Sequence, residues 1–251
     1  MSRKAEKKTD RILLIDVSNS FSKIALATSG KIGRIYKIPT PDLASAKLST
    51  HRANRAVISS VVPSANKLLQ SELSISTLWV DHQTAGVAIR YPKPASIGAD
   101  RLANVAAAVS IGNLPAIVVD FGTAVTFDII DASGCYLGGI IAPGLSTAAH
   151  ALHDRTALLP LTRIRSISSP IGKSTQQAIQ IGLLLGAVGI VREVVTRIAL
   201  QSFDGTVPHI LATGGDAELV ARLSTSSGGK LIIDTVDPLL TLKGLLVIGN
   251  H

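Results

Sequence analysis

Residues 13–23 read LLIDVSNSFSK. An apolar run stops at Asp16, small hydrogen-bonding residues follow, and an apolar run resumes: the pattern of two short strands joined by a tight turn. A solvated turn tolerates Ser-Asn-Ser without needing it. A phosphate has a use for it, because its oxygens take backbone amides and hydroxyls at short range with little side-chain bulk in the way. The pattern returns as AIVVDFGTAVTFDI at 116–129. Setting Asp16 on Asp120 lays Ser18 on Gly122 and Asn19 on Thr123, an offset of 104 residues and close to half the chain. A mere turn explains either stretch; it explains both, similarly placed, less well.

The rest of the chain reads as α/β alternation around these two points. Strands are predicted at 12–16, 22–28 and 31–36, a helix at 42–50, and a strand at 56–60. A helix over 64–73 with Ser64 as N-cap follows, then a strand at 76–80 and an Ala-rich helix at 100–111. The second half begins with the strand at 116–120 and continues through a hairpin at Ser133-Gly134 into YLGGII. Helices are expected over 144–157 and 174–200, a strand at 209–213, and a helix after TGGDA at 213–217. The expected organisation is a flexible basic tail at 1–10, a first half at 11–113 and a second at 114–251. Two related halves facing each other would form a cleft, with one turn from each side and both aspartates opening onto it.

Composition narrows the function. The 251 residues are 46% hydrophobic but only 3% aromatic, so the core is built from Ile, Val, Leu and Ala. A net charge of +8 suits anionic small molecules or weak nucleic-acid association and does not choose between them, but aromatics are too few for a base-stacking surface and no nucleic-acid-binding motif is present. The single cysteine, Cys135, excludes a disulfide framework and a thiolate metal cluster and fits a reducing, cytoplasmic setting. The apolar run after the basic start breaks at Asp16, unlike a signal peptide, and the run at 178–191 is shorter than a bilayer crossing needs. It is read as a buried helix, with no membrane partner.

Competing motifs fail on spacing. IGKST at 171–175 ends like a Walker A loop, but position 167, where the first glycine belongs, is Ile. There is no Gly-x-Gly-x-x-Gly fingerprint and no Gly-x-Ser-x-Gly elbow. His150, His153 and Asp154 are close enough in sequence to suggest a metal pair and equally fit an ordinary polar helix face.

In order along the chain, the motifs resemble those of type III pantothenate kinase, within the acetate and sugar kinase, Hsp70 and actin superfamily. DVSNSFSK at 16–23 resembles the family's Asp-x-Gly-Asn-Thr/Ser-x-x-Lys segment, GADR at 98–101 its Gly-x-Asp-Arg, and DFGTAVTFD at 120–128 its Asp-x-Gly-Thr-Ala-x-Thr. GGIIAPGL at 138–145, IGKST and TGGDA follow in the family's order. The resemblance implies a duplicated ribonuclease-H-like, actin-like ATPase fold, a homodimer, and ATP-dependent phosphorylation of pantothenate in coenzyme A biosynthesis. It implies magnesium and a monovalent cation, potassium or ammonium, as cofactors. Carried onto this sequence, Asp100 is the catalytic base, while Tyr91, Gly98, Arg101 and Thr175 bind pantothenate. Asp16, Asn19, Ser20, Lys23, Gly122, Thr123 and Thr126 bind ATP, and Asp16 and Asp120 organise metal ions.

Elementary chemistry agrees in part. Phosphoryl transfer demands positioning and charge neutralisation, a carboxylate beside a hydroxyl can take its proton, and arginine offers paired donors to an acid. Read alone, Asp100-Arg101 also fits a plain helix start, and Lys23 either reaches the site or solvates a strand edge. Ser18 departs from the motif's glycine. If that position requires a left-handed backbone, serine is strained by about 1–2 kcal/mol; if it requires only closeness to phosphate, the hydroxymethyl group crowds ATP or adds a bond. The alternatives are a non-catalytic homologue and a kinase for another small hydroxyl substrate, with a polyphosphate hydrolase of the same superfamily behind them.

Overall fold

The computed structural model describes residues 10–48, 52–224 and 232–251. The expected basic tail lies almost wholly outside them. The described chain forms two compact units, each built on a five-stranded mixed sheet.

In the first unit β1 (Arg11–Val17), β2 (Phe21–Thr28) and β3 (Lys31–Pro39) form an antiparallel meander. Strand β4 (Arg55–Ser60) runs parallel to β1, and β5 (Ser76–Trp79) parallel to β4, giving the order β3-β2-β1-β4-β5. The second unit repeats this. Strands β6 (Ala116–Phe121), β7 (Ala124–Ile130) and β8 (Tyr136–Pro143) form the meander, β9 (His209–Gly214) runs parallel to β6, and β10 (Thr235–Val236) parallel to β9. Corresponding strands hold corresponding places, so the repetition read from two aspartates extends to the whole sheet.

Alternation explains the packing. Leu13, Ile15 and Val17 of β1 enter a core with Ile24, Ile58 and Leu69, the last from α1 (Pro63–Glu72). Asp16 belongs to the opposite face. In the second unit Ile117, Val119 and Phe121 pack with Val188 and Val191 of α4 (Thr175–Ser202) and Val220 of α5 (Ala217–Leu223), again leaving Asp120 on the other face. The apolar run at 178–191 lies inside this 28-residue helix, which is long and apolar enough to cross a membrane by length and composition. Its buried residues, among them Leu184, Val188, Val191 and Val195, recur at helical spacing and face the core of their own unit.

Two expected elements change form. The helix expected at 42–50 is a 3₁₀ segment, Thr40–Ala46, ended by Lys47 at φ 45°; residues 49 and 50 lie outside the described residues. Prolines 39 and 41 remove two donors from that stretch, which favours a short tight helix. Helix α1 starts one residue before Ser64: Pro63 occupies the first turn, where its fixed φ and missing N–H suit a helix start, and Val62 is the N-cap.

The units are not continuous in sequence. Residues 88–92 join the second sheet, where Tyr136 N–H donates to Ala88 O (2.9 Å) and Arg90 N–H donates to Tyr136 O (2.8 Å). The final helix, α6 (Leu240–Gly249), returns to the first unit beside α2 (Ala99–Ile111). Gly244 makes this possible: a Cβ there would run into Ala103 O, while Thr241 Oγ1 donates to Asn104 Oδ1 at 2.9 Å. Gly249 lies against Val57 and Ile12, so α6 covers the face of the sheet that carries Asp16.

Candidate active site

Each aspartate sits one residue before its strand ends, with the same kinds of neighbour. Asp16 pairs with Lys23 on the antiparallel side and Ser59 on the parallel side. Asp120 pairs with Thr126 and Thr213 in the same way. Cross-strand partners share a face with Cβ atoms about 4.5–5.5 Å apart, so Lys23 lies beside the Asp16 carboxylate rather than on the opposite face. Asp16 is buried, which a carboxylate sustains when a cation or hydrogen-bond donors face it. Lys23 and Thr126 are thus equivalents at an offset of 103. The 104-residue offset of the aspartates loses one because the first turn is a residue longer: Ser18 N–H donates to Phe21 O (3.2 Å), whereas Gly122 N–H donates to Ala124 O (3.0 Å).

The first turn exposes Asn19 and Ser20 and is held from below. Thr40 Oγ1 donates to Ser18 O (2.6 Å), and Thr40 N–H donates to Ser20 O (3.1 Å). The second turn exposes Gly122 and Thr123 and is held by the start of α3 (Leu145–Arg155). There Gly144 N–H and Thr147 Oγ1 both donate to Thr123 O, at 3.1 and 2.6 Å. Gly144 has no alternative, since a Cβ would strike the carbonyls of Gly122 and Thr123.

Ser18 has an ordinary backbone; the left-handed non-glycine residues described are Ser29, Lys47, Arg52 and Asp204. Gly122 is not left-handed either, and a Cβ there would meet only van der Waals neighbours, Ala124 O and Asp120 Oδ1 at 3.6 Å. The position tolerates a side chain in both halves, so the strain alternative for Ser18 does not apply. Ser18→Gly is therefore expected to lower stability by about 0.4–1 kcal/mol through the added freedom of the unfolded chain, where a strained serine would give an increase; thermal melts read the sign.

Asp100 stands in the first turn of α2, where Gly98 O accepts the Leu102 N–H (3.1 Å). Its Oδ1 accepts the Arg101 N–H (2.8 Å) and folds back over Gly98, 2.6 Å from where a Cβ would be. Glycine at 98 leaves room for that carboxylate. Burial of the carboxyl raises its pKa above the ordinary aspartate value, and the Arg101 N–H and guanidinium charge only partly offset this. Gly98, Asp100 and Arg101 thus form one local group.

In the second unit the Tyr91 ring lies over Gly138, 3.6 Å from a virtual Cβ, and 6.3 Å from the Tyr136 ring by centroids. Thr175 is the exposed first residue of α4, and no hydrogen bond joins it to Tyr91. A cavity of about 330 Å³ beside that helix start is lined by Ser166, Ser168, Lys173, Gln177 and Ile181, but not by Thr175. IGKST serves as a helix cap: Gln177 N–H donates to Ser174 Oγ (3.3 Å), and Gln177 Oε1 accepts the Lys173 N–H (2.7 Å). His150 and His153 hydrogen-bond through Nδ1 to the carbonyls of Ser146 and Leu159.

Three residues near the aspartates are not singled out by the sequence, although Thr213 and Asp216 belong to TGGDA. Ser59 and Thr213 become neighbours of Asp16 and Asp120 only through strand register. Asp216 occupies the position before α5 without a side-chain cap bond, its N–H donates to Phe121 O (3.2 Å), and burial raises its carboxyl pKa. The sequence places a strand before TGGDA and a helix after it, without indicating that this segment docks on the end of β6.

Among the described residues no group of three His, Cys, Asp or Glu side chains stands ready to cage a metal. Asp16 and Asp120 each offer one carboxylate near a strand end, and magnesium takes one or two carboxylates together with its waters and substrate phosphates.

The family model for type III pantothenate kinase matches residues 12–197. The chain is 38% identical to the type III pantothenate kinase of Methylacidiphilum infernorum over 254 residues, 95% of this chain and 88% of the relative. It is 40% identical to that of Akkermansia muciniphila over 241 residues, 94% and 96% of the two. Among solved structures, a Campylobacter jejuni protein described as a Baf family transcriptional activator superposes with a TM-score of 0.64 at 20% identity, covering 95% of this chain and 97% of that one. The ethanolamine utilization protein EutJ of Carboxydothermus hydrogenoformans does so at 0.55 and 13%, covering 94% and 89%. These two likenesses show a shared fold. The family match and the relatives, spanning nearly their whole lengths, show more: the chain belongs to the type III pantothenate kinase family.

Proposed function

We propose that the chain transfers the γ-phosphoryl group of ATP to the primary hydroxyl of pantothenate, with Asp100 as the general base. The observation that carries the site assignment is the repeated strand–aspartate–turn unit, in register with polar partners in both sheets. The common strand order of the two sheets supports the finer reading of the fold as a duplicated ribonuclease-H-like unit.

In this reading the pantothenate oxygen attacks the γ-phosphorus as the bond to the β,γ-bridging oxygen breaks, and the hydroxyl proton passes to the Asp100 carboxylate. Desolvation suits Asp100 to that task, because it makes the carboxylate a stronger base than an exposed one. Arg101 offers its guanidinium to the substrate carboxylate, while Gly98 keeps space beside the base. Tyr91 and Thr175 are assigned to the same substrate. Asn19, Ser20 and Lys23 in one unit, and Gly122, Thr123 and Thr126 in the other, supply amides, hydroxyls and one ammonium for phosphate oxygens. Asp16 and Asp120 would hold magnesium, which when bound neutralises phosphate charge. Asp120 is also assigned to the monovalent cation. That cation and the homodimer rest on the family resemblance alone, whereas a cytoplasmic location rests on the single cysteine, which suits a reducing compartment.

The test is ADP release with magnesium, ATP and potassium, with and without pantothenate, and the product weighed by mass spectrometry. Pantothenate-dependent ADP and a phosphopantothenate product are expected. Folded protein that gives neither, with potassium or ammonium, returns the weight to a non-catalytic homologue or another acceptor.

A further inference from the structure

Among the described residues, buried serine and threonine hydroxyls are hydrogen-bonded, with two exceptions. Ser22, Thr40, Thr162, Ser224 and Thr241 are each buried and each bonded to a side chain or carbonyl. Ser59 is fully buried and Thr213 is 1% exposed, yet the Oγ of one and the Oγ1 of the other have no partner. The two exceptions share a position: Ser59 lies on β4 opposite Asp16, and Thr213 on β9 opposite Asp120, each on the parallel neighbour of its aspartate strand. Adjacent strands lie about 4.8 Å apart, so each hydroxyl shares a face with a carboxylate one strand away. An unsatisfied buried hydroxyl is costly, and folded proteins contain few. Its recurrence beside both aspartates, and at no other buried serine or threonine described, ties it to what the aspartates bind rather than to the fold.

The chemistry of a magnesium–nucleotide complex supplies the missing bond. Magnesium keeps several waters when proteins bind it, and those waters need acceptors around them. We propose that Ser59 and Thr213 are positioning residues, each accepting a hydrogen bond from a water ligand of the cation held at the neighbouring aspartate. This rests on the kinase reading above, and it gives the hydroxyls work only when cation and nucleotide are present.

The test follows unfolding midpoints of the full chain during a magnesium chloride titration with ADP, for the parent protein, Ser59→Ala, Thr213→Val and Thr213→Ser. Without cation, the alanine and valine variants should melt no lower than the parent, because each loses a group that had no partner. With ADP they should need about tenfold more magnesium for the half-maximal shift, the low end for lost outer-shell partners, while Thr213→Ser keeps the parent's response. Midpoints that fall in the absence of cation, with an unchanged magnesium response, would show that the hydroxyls merely support the fold and overturn the proposal. A parent chain with no magnesium-dependent shift in ADP would overturn the kinase reading, and the proposal with it.

Discussion

Asp100→Asn is expected to lower kcat by about 10²–10⁴-fold, the range for loss of a general base, while leaving the fold at least as stable. Asparagine keeps an oxygen able to accept the Arg101 N–H but cannot take a proton from the substrate hydroxyl. Both effects have one cause. Burial lifts the Asp100 pKa above its ordinary value, so ionising it in the folded chain is harder than ionising it in water. A carboxyl raised in this way favours the fold most below its unfolded pKa of about 3.9, and that contribution disappears as pH rises through the folded value. At neutral pH the ionised base therefore weighs against stability, and a neutral amide removes the penalty. Activity runs the other way, because the working form is the carboxylate: the acidic limb of kcat/KM should fall at a pH above the ordinary aspartate range. Melting curves and a pH–rate profile of parent and variant decide the matter. A variant that melts lower and keeps its activity would make Asp100 a helix-start residue and no more.

What could be read from the letters was local. Strand, aspartate and small turn follow one another within eleven residues, and the second copy at 116–129 can be set beside the first without any structure. The GADR group is equally compact, because Gly98, Asp100 and Arg101 meet within one helical turn. Register is a different kind of information. Nothing in AVISS or in TGG says which residue will stand opposite an aspartate, so Ser59 and Thr213 emerge only when parallel strands are aligned. The same holds for α6, whose apolar letters suit many partners. Its return to the first unit depends on the fit of Gly244 against Ala103, a contact across more than half the chain. Ser18 shows a further limit. A glycine motif can record a need for left-handed backbone or a need for small size, and only the dihedral separates them; here neither Ser18 nor Gly122 is left-handed.

Gly214 is the contrasting glycine, and its replacement should damage the fold. It ends β9 at φ +96°, in the left-handed region. A Cβ added there would lie 2.5 Å from Phe121 O, 2.6 Å from Phe121 C and 2.5 Å from Asp120 Oδ1. Two of those atoms are backbone of a central strand, which the ladders to β7 and β9 hold on both sides, so the collision cannot be relieved by turning a side chain. Left-handed strain of about 1–2 kcal/mol adds to overpacking of about 1–3 kcal/mol. Gly214→Ala is thus expected to lose about 2–5 kcal/mol, and each kcal/mol is worth about 2–4 °C in a chain of this size. The atom with most freedom to yield is the Asp120 carboxylate, so a variant that still folds should bind magnesium–ADP more weakly as well as melt lower. Gly215→Ala is the control: a Cβ there meets nothing within 4 Å, and its φ is not left-handed. If both alanine variants melted alike, the close approach of β9 to Asp120 would not be what requires glycine at 214; a large loss confined to Gly214→Ala would tie this glycine to the place of that carboxylate.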